Sequence, residues 1–596
     1  MSLSLKSIVL VFCLFPVILF AGFFSEDNST KVALRVHKIH FTGEKVFSQS
    51  DLLDAVSAEH KSFYQFWKED TATIKDKLLP TLRETLRQYF DAEGYYDAVF
   101  NIEQNRTDVT VKIVENQPIL VNDINISSDY NISDFILFHK GEIFRTETFI
   151  QVKSSIAQEM LKKGYCSYDL NAKAYVDLEK HRVDMKFMLK KGGICTFGNI
   201  TVYGTETIRD DIIKSRVRAK EGEVFNLELV KDTYDALYGL HAFDSVLVNV
   251  ERKFYNVVPV DIQVSEMQKP YHFEIGAGYD SYVGARVHTK MIKHNFYGNA
   301  QQLQLDLSWS KEEQVAILNF FKPVVWSPYG FYLDLGVKGG YSNLGYDGYY
   351  EKKLFFRTYF SHVAERFDIK FGMALEAIEI TQRDDGQPLL PEYAYNLFLL
   401  TYPYLDIIYD GRDSKLNPKE GYYFRGYAEW GIPSDSETSA YQKYLFEGRG
   451  IYTVSDLTMA MVGKVGVIEI GEESNNRGIP ESKKFYAGGM YSNRAYGFRE
   501  IGVITSPTTD LVNGAKTWLN LMVEADYPLW GELYGAVFSD NTMLTEESMD
   551  FHGDIISSAG VGMRYMTPVG PLKLDVGFNV DDPSIYGIQF QIGQSF

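Results

Sequence analysis

Residues 572–580 read LKLDVGFNV. Leu572, Leu574, Val576, Phe578 and Val580 are apolar, and Lys573, Asp575, Gly577 and Asn579 between them are not, the period of two expected of a strand with one buried face. The alternation recurs upstream. Leu303, Leu305, Leu307 and Trp309 interleave with Gln302, Gln304, Asp306 and Ser308, and Phe331, Leu333, Leu335 and Val337 with Tyr332, Asp334, Gly336 and Lys338. Gly, Asn and Asp turns punctuate these runs, and aromatics make up 15% of the chain, as 41 Tyr and 40 Phe against 6 Trp. Such segments predict an antiparallel transmembrane β-barrel, because an unclosed sheet in lipid would leave its edge amides without partners. At roughly 20 residues per strand and connection, residues 271–596 hold about 16 strands. A soluble β-sandwich is the competing reading; the aromatic load, the export signal described below and the terminal Phe596 weigh against it.

Before Pro270 the periodicity is mixed and a unit recurs. Lys140-Gly141-Glu142-Ile143-Phe144 is echoed by Glu221-Gly222-Glu223-Val224-Phe225. Each echo precedes an apolar stripe at helical spacing (Phe149, Val152, Ile156, Met160; then Val230, Tyr234, Leu237), a glycine with an aromatic nearby, and two extended segments. Leu78, Leu82, Leu86 and Phe90 give an earlier copy, in which Pro80 marks a helix start. A period of roughly 80 residues predicts three small tandem α+β domains, over 30–117, 118–193 and 194–270, ahead of the barrel at 271–596. Their open sheet edges would suit capture of an extended peptide, and simple spacers fit the pattern equally.

Lys6 followed by the apolar run Ile8–Phe20 and Ala21-Gly22 predicts a secretory signal peptide over residues 1–22. A formal charge of −19 argues against nucleic-acid partners. After cleavage the cysteines are Cys166 and Cys195, either a disulfide in an oxidising compartment or two buried thiols. There is no GxSxG elbow, Walker loop or HExxH helix. The 11 His are scattered, and His37 and His40 lie on opposite parities and read as surface residues. No enzymatic activity, cofactor or metal is expected.

Four motifs carry a family resemblance: Gly276-Ala277-Gly278-Tyr279-Asp280 with Gly284-Ala285-Arg286-Val287; Tyr409-Asp410-Gly411-Arg412-Asp413 with Asn417-Pro418 and Gly421; Phe485–Phe498, FYAGGMYSNRAYGF; and Gly560, Gly562, Arg564, Thr567-Pro568, Gly570-Pro571 and Asp575. In these the chain resembles the bacterial outer-membrane assembly and two-partner-secretion superfamily, whose members join periplasmic polypeptide-transport-associated (POTRA) domains to a 16-stranded barrel. Three such units make it most similar to the TamA-like branch. The resemblance implies an outer-membrane location among lipids, β-rich client proteins, and a periplasm-spanning, inner-membrane-anchored partner (TamB-like) at the POTRA domains. It also implies that Arg494, Tyr496 and Gly497 belong to a sixth extracellular loop folded into the lumen, with Asn493 and Ala495 in place of the signature's Val and Gly.

Parity supplies an independent check on which residues face inward. If Leu519, Leu521, Val523 and Ala525 face lipid, Glu524 faces the lumen; if Leu533, Gly535 and Val537 face lipid, Phe538 and Asp540 face in. The resemblance implies that the loop's Arg meets acidic residues on the inner wall, and Phe538 and Asp540 resemble the family's Phe-x-Asp element, so an Arg494–Asp540 pair with Glu524 nearby is the expectation. The last strand, with Gly587, Phe590, Ile592 and Phe596, resembles an outer-membrane assembly signal and is expected to meet the first strand. There Gly276 and Gly278 either weaken a lateral gate or relieve crowding. The function implied is assembly or translocation of β-rich clients without chemical catalysis. The alternatives are a two-partner-secretion transporter of one exoprotein and a passive porin or surface protein.

Overall fold

The computed structural model describes residues 36–43, 46–59, 71–250, 256–280, 284–327, 331–346, 349–364, 366–382, 397–434, 438–471, 478–503, 512–567 and 570–592. The expected signal peptide, Pro568 and Phe596 lie outside them. The chain forms two compact units, the first chiefly residues up to Thr196 with Val224–Leu227, the second the remainder.

The first unit contains two small sheets. In one, Val36–Thr42 pairs in parallel with Asp108–Val114, and Thr73–Lys75 and Val99–Gln104 flank them. The strand Val36–Thr42 buries every second residue, so His37, Ile39 and Phe41 share the covered face. His37 is therefore not a surface residue as its isolation suggested: it is buried, with Nε2 3.0 Å from Asp76 Oδ1. Pro80 sits in a 3-10 turn, Asp76–Thr81, and the α-helix begins beyond it at Leu82–Ala92. Leu82, Leu86 and Phe90, four residues apart, bury one helical face against Ile39, Phe41, Val109 and Val111. The second sheet repeats the plan: Leu120–Ser128 is parallel to Arg182–Lys190, with Asp169–Asp177 outside. Its helix, Thr146–Lys162, buries Val152, Ile156 and Met160, and a 3-10 turn (Ser133–Phe135) precedes it.

The recurring five-residue echo makes the joint between successive domains. Ile119 N donates to Gly94 O (2.8 Å), and Phe144 N donates to Ile119 O (2.9 Å). In the next copy Cys195 N donates to Gly164 O (2.9 Å), and Phe225 N to Cys195 O (2.9 Å). The echo glycines, Gly141 at φ 92° and Gly222 at φ 83°, take the left-handed turn that aims each motif at the joint. A disulfide adds to the second joint, linking Cys166 to Cys195.

The second unit holds a third small sheet, in the order Thr196–Tyr203, Val257–Glu266, Phe243–Asn249, and a sixteen-stranded sheet. Its strands run in sequence from Tyr271–Asp280 to Tyr586–Ile592, each antiparallel to its neighbour, and form the barrel. Alternation sorts the faces as the period of two requires. Leu519, Leu521, Val523, Val537, Val561, Met563 and Phe590 point outward, where lipid replaces water, and polar side chains point inward.

Within this unit the third domain grips one end of the barrel. Arg216 Nη2 reaches both carboxylate oxygens of Asp334 (2.9 and 2.8 Å), and its guanidinium lies 4.1 Å from the centre of the Tyr332 ring. Glu266, at the end of the domain's last strand, accepts from the amides of Glu206, Thr207 and Ile208 (2.7–2.9 Å) and from Asn295 Nδ2 (3.3 Å) in the first turn of the barrel at this end.

Candidate functional site: a loop anchored in the barrel lumen

The loop between Leu457–Ile470 and Thr517–Trp530 joins the eleventh and twelfth strands. Odd-numbered strands begin at the end that carries the third domain, so this loop leaves from the opposite end. It nevertheless lies inside: Phe485, Ala487, Ala495, Ile501 and Ala515 are buried. Isolated bridges, Phe485 to Ala515 and Ala487 to Ile501, fold it back on itself.

Among the described residues of the loop, Arg494 is the least exposed cation, at 1%. Its Nε and Nη2 meet Asp540 Oδ2 and Oδ1 at 2.9 and 2.8 Å, a two-pronged pair, and its backbone N donates to Oδ2 as well (3.0 Å). Nη1 contacts Glu524 and donates to Asp575 Oδ2 (3.0 Å). The guanidinium is 3.4 Å from the centre of the Phe538 ring, so a π face covers the side that carries no N–H. The expected residues are thus together: Arg494 with Asp540 and Glu524, over Phe538.

The constellation is larger than parity indicated. Arg564 Nη2 donates to Glu524 Oε1 (2.9 Å) and to Asp575 Oδ2 (3.1 Å), and Lys573 Nζ is 3.5 Å from Glu524 Oε1. Arg494, Arg564 and Lys573 therefore face Glu524, Asp540 and Asp575, three cations against three carboxylates, all buried. Mutual neutralisation and saturated hydrogen bonding are the conditions under which such charges can leave water. Arg564, Lys573 and Asp575 carry inward parity in the sequence, but parity does not say which strands the loop will touch.

Tyr496 serves two contacts. Its hydroxyl accepts from Asn579 Nδ2 (2.6 Å), and its carbonyl from Gln589 Nε2 (3.0 Å) in the last strand. Gly497 N donates to Glu500 Oε2 (2.6 Å). Ala495 is buried and has no positive φ, so an alanine is accommodated at this position of the signature.

Of the glycines expected where the first and last strands meet, Gly276 and Gly587 occupy crowded positions. A Cβ at Gly276 would collide with the His288 ring on the paired strand, and one at Gly587 would lie 2.5 Å from Arg494 O. Gly577 on the neighbouring strand is constrained in the same way, 2.8 Å from Arg494 C. Gly278 pairs with Arg286 along the first hairpin. Phe590 faces outward, and Ile592 closes the described part of the last strand.

Residues 295–596 match the model of the Omp85 superfamily domain, and residues 34–116 and 195–267 match that of the POTRA surface antigen variable number repeat. The chain belongs to the Omp85 superfamily, the outer-membrane barrels that carry POTRA domains. Among its relatives is the outer membrane protein assembly factor BamA of Nitratidesulfovibrio vulgaris, 21% identical over 92% of this chain and 71% of that protein. BamA of Neisseria meningitidis is 20% identical over 96% of this chain and 79% of that protein. The crystal structure of Haemophilus ducreyi BamA lacking POTRA domains 1–3 shares the fold, with a TM-score of 0.51 and 16% identity over 80% of this chain and all of that one. The barrel lies in the outer membrane and the POTRA domains in the periplasm.

Proposed function

We propose that this protein assembles or translocates β-rich client proteins at the outer membrane, by docking at the POTRA domains and strand addition where the first and last strands meet, without chemical catalysis. The observation that carries this reading is the buried Arg494 cluster. A passive pore gains nothing from burying six charges to seat a loop, whereas a machine that must keep its last strands in register beside a changing seam does. In support, Tyr496 and Gly587 bring the loop against the last strand itself. A periplasm-spanning, inner-membrane-anchored partner at the POTRA domains, the limits 30–117, 118–193, 194–270 and 271–596, and export by residues 1–22 belong to the same reading. Depletion followed by parallel measurement of the outer-membrane and secreted proteomes tests it. Loss of several barrel proteins or autotransporters is expected. Loss of one secreted protein alone would move the chain to exoprotein secretion, and no change in either would overturn the reading.

A further inference from the structure

A second buried ion network lies in the lumen, separate from the Arg494 cluster. Lys483 stands on the 3-10 turn Glu481–Lys483, near the start of the described part of the loop. Its Nζ is 3.0 Å from Glu376 Oε2 and 3.3 Å from Glu429 Oε1, and 4.0 Å from the centre of the Tyr402 ring. Glu376 also accepts from Tyr402 Oη and Arg357 Nη2 (both 2.6 Å), and Glu429 from Tyr441 Oη (2.8 Å) and Tyr427 Oη (2.5 Å). Lys443 Nζ donates to the carbonyl of Lys483 (2.6 Å), so the turn is held by backbone as well as by side chain.

These partners come from the sixth to the tenth strands, whereas those of Arg494 come from the twelfth to the fifteenth. Glu376 on the seventh strand and Asp540 on the thirteenth are six strands apart in a sheet of sixteen. One loop is therefore tied to two well-separated arcs of the wall. A loop held at one point can swing about it, but a loop held at two spans the space between them.

We infer that Lys483 is a second anchor, a positioning residue that holds this loop across the lumen and closes the barrel to free passage of ions. The chemistry of the two anchors makes them unequal. Arg494 holds its carboxylate through a rigid fork, while Lys483 is a single ammonium with rotatable donors shared between two carboxylates. Loss of the Lys483 charge leaves Glu376 and Glu429 buried beside each other without the cation that bridges them, which favours withdrawal of this end of the loop and admission of water. Closure of the lumen by this anchor does not depend on which clients are handled.

Ion conductance of the full-length protein in planar lipid bilayers tests it, with heat-modifiable gel mobility as the check on barrel folding. Lys483→Met is expected to raise the open fraction by about tenfold or more, and Lys483→Arg, which keeps the charge, to stay near the parent level. A folded Lys483→Met barrel as closed as the parent would overturn the inference. So would Lys483→Arg opening as widely as Lys483→Met, because the charge would then not be the cause. Should Lys483→Met not fold, hydrogen exchange on the parent decides. The amides of Phe485 and Ala515, paired at 2.9 and 2.8 Å beside Lys483, must exchange as slowly as the barrel strands, and exchange at loop rates overturns the anchor.

Discussion

The carbonyl oxygen of Arg494 occupies the space that a side chain on Gly587 would need, 2.5 Å from where its Cβ would lie. The loop and the last strand are thus in backbone contact, and the absence of a side chain on one permits the seating of the other. Gly587→Ala should push the loop backbone off its seat and loosen the Arg494 fork, at a cost of about 1–3 kcal/mol. The readout is protease cleavage within the loop of the folded barrel, which should accelerate; Gly577→Ala should act in the same direction. Cleavage at the parent rate in both would show that the loop does not depend on this contact.

Arg494→Ala should be severe. Removing one member of a buried ionic network strands its partners and costs about 3–5 kcal/mol. Arg494→Lys should recover little of this, since an ammonium cannot reproduce the two-pronged contact with Asp540. Denaturant titration of the refolded protein measures both. A double-mutant cycle with Asp540→Ala should give a coupling of about 0.5–3 kcal/mol, and zero coupling would mean the pair is not energetic.

Arg216 and Asp334 should behave as a pair that keeps the third domain on the barrel. Either Arg216→Ala or Asp334→Ala should increase the spread of distances between spin labels placed on the domain and on the barrel rim. The swapped variant, Arg216→Asp with Asp334→Arg, should narrow it again, because both are buried and the attraction survives exchange of the charges.

Acid should weaken the neighbouring contact at Glu266. Burial pushes its carboxyl up, but the Thr207 hydroxyl and the amides of Glu206, Ile208 and Thr207 outweigh burial and hold it below the ordinary range. With the folded value the lower one, the unfolded segment binds the proton more tightly. The stabilisation is therefore complete above the ordinary glutamate value of about 4.3 and fades as pH falls through the lower folded value. Glu266→Gln should flatten that acid limb in a pH series of domain mobility, and an unchanged slope would remove Glu266 as its source.

The Cys166–Cys195 disulfide closes a segment with a sequence separation of 29. Its reduction, or Cys166→Ser with Cys195→Ser, should lower the stability of the periplasmic part by about 3 kcal/mol, measured by thermal unfolding with and without reductant. A melting curve indifferent to reductant would show that the joint's hydrogen bonds suffice without the cross-link.

Much of this architecture was legible because regular structure leaves a period. The alternation around Leu572–Val580 and the four-residue spacing of Leu82, Leu86 and Phe90 express which face meets water, and they gave the barrel and the α+β domains ahead of it. Parity likewise placed Glu524, Phe538 and Asp540 on the inner face. Lys483 was not legible, because an irregular loop has no period from which to read a direction. Arg564, Lys573 and Asp575 had readable parity, but their meeting with Arg494 depends on where the loop descends, which only the register and curvature of the sheet decide. Gly587 reads in the sequence as part of an assembly signal, and nothing in that reading shows that it also makes space for another backbone. His37 shares its parity with Ile39 and Phe41, a clue outweighed by the expectation that a lone imidazole lies at the surface.

The joint between the periplasmic domains uses the same connector twice. Ile119 and Cys195 each donate to the glycine carbonyl behind them and accept from the phenylalanine amide ahead, at nearly identical distances. The first and second domains thus end in the same kind of socket for the head of the domain that follows. Excising residues 119–194 would bring Cys195 to Gly94 and rebuild an equivalent junction, and inserting a further copy would do the same. Such interchangeable ends let duplication or deletion change the number of domains without inventing a new interface, so the reach of the periplasmic arm can vary while each of its links stays the same.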